Sequence, residues 1–87
     1  MKTHPAVTKF FHESAQTLAN LYVRWLDERQ YEDLADYLLP FKAIAADCKV
    51  NVYKMQKSPF GVVIGFENSK FLMYLKGDQV ILRSTTI

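Results

Sequence analysis

The chain has 87 residues, of which 49% are hydrophobic and 23% charged, and its formal net charge at pH 7 is +2. This length fits one domain with a single core, and this composition excludes disordered and fibrous proteins. We therefore expect one domain over 1–87, with a helical half over 1–46 and a sheet half over 47–87. The charge is unevenly distributed, since 1–45 holds five basic and six acidic residues whereas 46–87 holds six basic and three acidic residues.

A first helix is predicted near the N-terminus. The tripeptide Thr3-His4-Pro5 is a typical helix start, because the hydroxyl can cap the helix and proline is tolerated in the first turn. Apolar residues then recur every three or four positions, which predicts a helix over about 5–28. The members of this stripe are Val7, Phe11, Ser14, Leu18, Leu21 and Trp25. The stripe is longer than four strands are wide, so part of it is expected to pack on a second helix or on another copy of the chain.

A second helical pattern starts at Tyr31 and is interrupted by Pro40. A proline in a helix interior removes a hydrogen bond and clashes with the preceding turn. We therefore expect either a kinked helix or two short helices, over about 31–39 and 41–46, which form an antiparallel hairpin with the first helix.

Four strands are predicted in the second half of the chain. One runs over about 48–57, and three more lie within 60–83, where Asn68-Ser69 and Gly77-Asp78 are two-residue hairpin signals. The predicted fold is α+β, with an N-terminal helical hairpin packed on one face of a four-stranded antiparallel β-meander in the order ααββββ.

The turn positions predict which residues share a face of the sheet. A turn at Gly77-Asp78 places Lys76 opposite Gln79, and a turn at Asn68-Ser69 places Glu67 opposite Lys70; directly opposed residues point to the same side. Both turns then collect apolar residues on one face. The residues on this predicted core face are Phe60, Val62, Ile64, Phe66, Phe71, Met73, Leu75, Val80 and Leu82. If Ser58-Pro59 is a two-residue link, or a longer link of the same parity, Tyr53 and Met55 join them.

The opposite face is the candidate functional surface. Its centre is apolar and its rim is basic, whereas a sheet face exposed to water normally alternates to polar residues. Gly61 and Gly65 on this face would permit close approach of a partner. The residues predicted to bind a partner are Val52, Lys54, Val63, Leu72, Tyr74, Lys76, Ile81 and Arg83.

Two classes of binding function are open. The first is a non-enzymatic protein-interaction or regulatory module, expected to be a homodimer, whose partner is a protein, including a second copy of itself. The alternative is a nucleic-acid-binding protein, in which the lysines and Arg83 neutralise phosphates and Tyr74 stacks on a base. One exposed aromatic weakens this alternative, since sheet proteins that read single strands use two or three. A third interpretation is that strand propensity alone explains the apolar residues.

Catalysis and metal binding are not indicated by the sequence. His4 and His12 lie eight positions apart, so they do not form an i, i+4 metal pair and are expected to be solvated or capping. Ser14 lacks a glycine-flanked elbow and is expected to be a packing residue. The acidic residues Asp27, Glu28, Glu32, Asp33 and Asp36 match no calcium loop. We expect no enzymatic activity, no cofactor and no metal.

The single cysteine, Cys48, cannot form an internal disulfide, which favours a reducing compartment. It is expected to be a small buried apolar group. No apolar run approaches the roughly 20 residues of a membrane span, and no signal-peptide pattern is present. We therefore expect a cytoplasmic protein with no membrane partner, and by size alone we associate it with accessory proteins of bacteria or phages.

Overall fold

The computed structural model of the protein describes residues 4–28 and 34–85. Two α-helices precede four strands, and a short 3-10 helix at Leu34–Tyr37 leads directly into the second α-helix. The elements are α1 (Pro5–Glu28), α2 (Leu38–Cys48), β1 (Asn51–Lys57), β2 (Phe60–Phe66), β3 (Ser69–Lys76) and β4 (Gln79–Ser84). The strands form one antiparallel sheet in the order β1-β2-β3-β4. The predicted α+β meander is confirmed.

Helix α1 begins at the predicted residue, and His4 caps it. Nδ1 of His4 accepts a hydrogen bond of 3.1 Å from the backbone N–H of Ala6. Pro5 occupies the first helical position, where a backbone N–H would have no partner within the helix. The imidazole ring also lies 4.1 Å from the ring of Phe66, measured between centroids, so the cap contacts the end of β2. The expected hydroxyl cap, Thr3, lies outside the described residues.

The predicted break at Pro40 is wrong. Pro40 is the third residue of α2, within the first turn, where its missing N–H costs no intrahelical hydrogen bond. The helical geometry changes instead at Tyr37, where the 3-10 helix ends. Helix α2 then continues to Cys48 and is terminated by Lys49, whose φ of 59° and ψ of 37° are left-handed. Residues 31–33 of the predicted second helix lie outside the described residues.

The helices cover the predicted core face of the sheet. Side chains with no exposed surface come from α1, α2 and the two central strands. They include Val7, Phe10, Ser14, Leu18, Phe41, Val62, Ile64 and Met73. The hydroxyl of Ser14 donates to the carbonyl of Phe10 and lies 3.4 Å from Sδ of Met73, so Ser14 is the packing residue that the sequence predicts.

An aromatic cluster around Phe60 joins α1, the 3-10 helix and β2. The centroid of the Phe60 ring lies 5.2 Å from that of Tyr22, 5.3 Å from that of Trp25 and 6.4 Å from that of Tyr37. Tilted and edge-on aromatic pairs of this kind contribute about 0.5–1.5 kcal/mol each beyond the area that they bury. This cluster accounts for the packing of the C-terminal half of α1, which extends beyond the centre of the sheet.

The register between β3 and β4 is the predicted one, with Lys76 opposite Gln79. The register between β2 and β3 differs from the predicted one, in which Glu67 opposes Lys70. In the structure Phe66 opposes Ser69 and the turn lies at Glu67-Asn68. The pairing is thus shifted by two residues. A shift of two leaves every side chain on the same face, so the predicted core face from β2 to β4 is confirmed despite the displaced turn.

Cys48 is buried at the end of α2 and belongs to the core, as predicted. Burial raises the pKa of its thiol, and the carboxylate of Glu13 raises it further. Because this pKa is higher in the folded state, the contribution to stability is present below the usual value of 9.0 and is lost as the pH rises through the folded value.

We expect Cys48 of the folded protein to react with iodoacetamide at pH 8 about tenfold more slowly than in the urea-unfolded chain, because the thiolate is the reactive form. Mass spectrometry of timed samples measures both rates. Equal rates in the two states would show that the thiol is accessible and ionised, contrary to its position in the core.

Candidate functional site

One face of the sheet is left without a covering layer by the described residues, because the helices pack on the other. We call it the open face. Its members are Asn51, Tyr53, Lys54, Gln56, Gly61, Val63, Gly65, Lys70, Leu72, Tyr74, Lys76, Gln79, Ile81 and Arg83.

A β-bulge in β1 determines which of its residues belong to the open face. Lys54 opposes Val63, but the pairing then shifts so that Val52 opposes Ile64, which leaves Tyr53 as the extra residue. Val52 therefore packs against the core, whereas the side chain of Tyr53 is 48% exposed on the open face. The predicted positions of Val52 and Tyr53 are both wrong, because the prediction assumed an unbroken alternation along the strand.

Tyr53 lies against Gly65 on the neighbouring strand. A Cβ atom at Gly65 would be 2.4 Å from Cε2 and 2.9 Å from the hydroxyl oxygen of Tyr53, so the ring occupies the space that any other residue would fill. Nζ of Lys70 lies 5.1 Å from the centroid of the same ring, within the range of a cation–π interaction. Glycine and lysine together hold the ring on the sheet surface.

Tyr74 is paired with the other glycine of β2. Gly61 lies opposite Tyr74, and a Cβ atom at Gly61 would be 2.4 Å from the carbonyl oxygen of Met73 and 2.8 Å from Cβ of Tyr74. Each of the two glycines that β2 presents to the open face therefore has a tyrosine beside it. Their spacing of four residues keeps both glycines on one face of the strand.

The open face is basic. The charged side chains that the strands contribute to it are all cationic, namely Lys54, Lys70, Lys76 and Arg83. The acidic residues nearest in sequence, Glu67 and Asp78, lie in the turns at opposite ends of the sheet.

An apolar centre separates the cations. Lys54, Val63, Leu72 and Arg83 form one cross-strand row, and Gln56, Gly61, Tyr74 and Ile81 form the next. Val63, Tyr74 and Ile81 are half-buried, and Leu72 is only 8% exposed because its neighbours surround it. Seven of the eight residues predicted to bind a partner thus lie together on the open face, and Val52 is the exception. Tyr53 is the member of the face that the sequence prediction missed.

At the other positions considered as sites, the described residues bring no set of metal-binding or catalytic side chains together. Among residues 4–28 and 34–85, no group of three or more His, Cys, Asp or Glu side chains could hold a metal ion. A cleft of about 270 Å³ beside the β2–β3 turn is lined by His4 and Glu67, but Nδ1 of His4 is used by the helix cap. A second cleft, of about 280 Å³, lies between Trp25 and Pro59. The acidic cluster is partly outside the described residues. No helix within the described ranges is both long and apolar enough to cross a membrane.

The chain matches no protein-family model, no curated protein and no solved structure. The open face, with its cations, its two glycines and its two tyrosines, is therefore the basis on which a function is assigned.

Proposed function

We propose that the protein is a non-enzymatic binding module whose open face binds an anionic macromolecule. The observation that supports this is the charge of the open face, whose four charged side chains are all basic although the whole chain carries a net charge of only +2. A cluster of cations of this kind attracts anionic partners and speeds their association. An apolar centre with a polar rim is typical of interaction surfaces. The lone thiol of Cys48 is consistent with action in a reducing compartment such as the cytoplasm.

A second copy of the chain is the other candidate partner, and the apolar centre favours it. Charge opposes it, because two apposed open faces bring like charges together, at a cost of several kcal/mol.

The charge of the open face can be tested by affinity for heparin, a flexible polyanion. We expect the double variant Lys54→Gln, Arg83→Gln to bind heparin about tenfold more weakly than the parent protein. The matched control is Lys9→Gln, Lys42→Gln, which removes the same charge from exposed positions on the helices. Equal weakening by both variants, measured by isothermal titration calorimetry, would contradict a role for the open face.

Sedimentation equilibrium separates the two candidate partners. The anionic-partner proposal predicts the monomer mass of 10.1 kDa. Twice this mass, restored to the monomer value by Ile81→Lys, would favour a homodimer through the open face instead.

A further inference from the structure

We infer that the anionic partner is a single-stranded nucleic acid, and that Tyr53 and Tyr74 are the two rings on which its bases stack; this inference rests on the proposed function. The bulge in β1 supplies the second ring. A regular strand would point Tyr53 into the core and leave Tyr74 as the one aromatic residue of the open face. Four-stranded sheets that read single strands stack two or three bases on exposed aromatic side chains.

The two rings are far enough apart for each to take its own base. Tyr74 lies on β3, directly opposite Gly61 of β2. Tyr53 lies on β1, the strand on the other side of β2, beside Gly65. Four residues along β2 and two strand spacings across it separate the Cα atoms of the two tyrosines by roughly 16 Å. A bound strand would therefore cross the sheet diagonally, over Val63 and its neighbours, rather than follow a single β-strand.

Each ring has the surroundings that stacking requires. Gly65 lets the ring of Tyr53 lie against β2 at the sheet surface, where this residue is 48% exposed, and Gly61 places no side chain beside Tyr74. A cation lies near each ring, since Lys70 is 5.1 Å from the centroid of Tyr53 and Lys76 is the next residue of β3 on the same face as Tyr74. A base that stacks on Tyr53 displaces the ammonium of Lys70 from the ring, and this cation then neutralises a neighbouring phosphate.

The exposed rings distinguish a single strand from other polyanions. The bases of a duplex are stacked on one another, so a duplex could use the cations of the open face but not its tyrosines. An acidic protein would likewise gain from the cations, and two tyrosines beside glycines add nothing to the recognition of carboxylates. Base stacking on aromatic side chains is also tolerant of sequence, because every base has a π-face.

The test is fluorescence anisotropy with a labelled 15-nucleotide single strand of mixed sequence, as DNA and as RNA, beside the duplex of the same sequence. If four cations each neutralise one phosphate, single-strand affinity should fall about 50-fold between 50 and 200 mM salt. Tyr53→Ala and Tyr74→Ala should each weaken it about 5- to 100-fold. The duplex should bind more weakly than the single strand and should not respond to either substitution.

Matched variants separate the contribution of the aromatic face to binding from that of apolar volume. Tyr53→Phe and Tyr74→Phe keep the aromatic face and should retain affinity, whereas Tyr53→Leu and Tyr74→Leu keep apolar volume and should lose it. Tyr53 is half exposed, so its variants should fold, which circular dichroism checks. Should Tyr74→Ala fail to fold, the leucine variant replaces it.

The remaining outcomes each overturn a different statement. Binding of poly-glutamate or duplex as tight as that of the single strand, unchanged by the alanine variants, would overturn the inference and leave an anionic partner of another class. Binding to none of heparin, poly-glutamate and the oligonucleotides would overturn the proposed function as well.

Discussion

Phe60→Ala is expected to lower the free energy of unfolding by about 4 kcal/mol, the largest effect of any substitution considered. Phe60 is 3% exposed, and its ring contacts Tyr22, Trp25 and Tyr37 on two other elements. Removing it loses the transfer free energy of the ring and leaves a cavity between helix and sheet. For a small domain, with a total of about 5–15 kcal/mol, this is a large fraction of the stability.

Urea unfolding followed by tryptophan fluorescence measures this loss, because the single tryptophan, Trp25, is part of the cluster. Far-UV circular dichroism provides the independent signal. The control is Phe60→Leu, which keeps most of the buried volume and should cost about 1.5 kcal/mol. A loss below about 1 kcal/mol for Phe60→Ala would show that the cluster does not hold α1 to the sheet, since buried Phe→Ala changes typically cost 3–5 kcal/mol.

Gly61→Ala is expected to cost about 3 kcal/mol, the upper end of the range for overpacking. The added Cβ would lie 2.4 Å from the carbonyl oxygen of Met73 and 2.9 Å from Cα of Tyr74. Both obstacles are backbone atoms of β3, so no side-chain rotation can relieve the contact and the two central strands must separate.

Gly65→Ala is the control for this prediction. The three atoms nearest to its Cβ all belong to the far end of the Tyr53 side chain, which can rotate away from the sheet. We expect it to cost about 1 kcal/mol, the central value for single substitutions, and less when combined with Tyr53→Ala. Thermal unfolding of Gly61→Ala, Gly65→Ala and the double variant Gly65→Ala, Tyr53→Ala ranks the three losses of stability. Equal costs at Gly61 and Gly65 would contradict the different obstacles that the two positions meet.

The core face could be predicted from the sequence because it depends only on the alternation of side chains along each strand. A turn displaced by one residue, as at Glu67-Asn68, shifts the pairing by two and preserves this alternation, so it could not be detected from the pattern. The same reasoning failed in β1, where a one-residue bulge exchanges the faces of Val52 and Tyr53. Two tyrosines beside two glycines could thus be recognised only in three dimensions.

The position of Pro40 shows a similar limit. The prediction treated it as the interior of a helix that starts at Tyr31, whereas α2 starts only at Leu38. Proline is compatible with the first turn of a helix and incompatible with later turns. The effect of Pro40 therefore depended on the residue at which the helix begins, which the apolar pattern did not show.

The bulge at Tyr53 also indicates how such a surface can arise by insertion. If Tyr53 were deleted, β1 would become a regular strand in which Val52 still opposes Ile64, because the shift in pairing and the loss of one residue cancel. The core would be unchanged and the sheet would carry one outward-facing ring fewer. A single inserted codon is therefore sufficient to give a folded meander that already has Gly65 its second tyrosine on the open face.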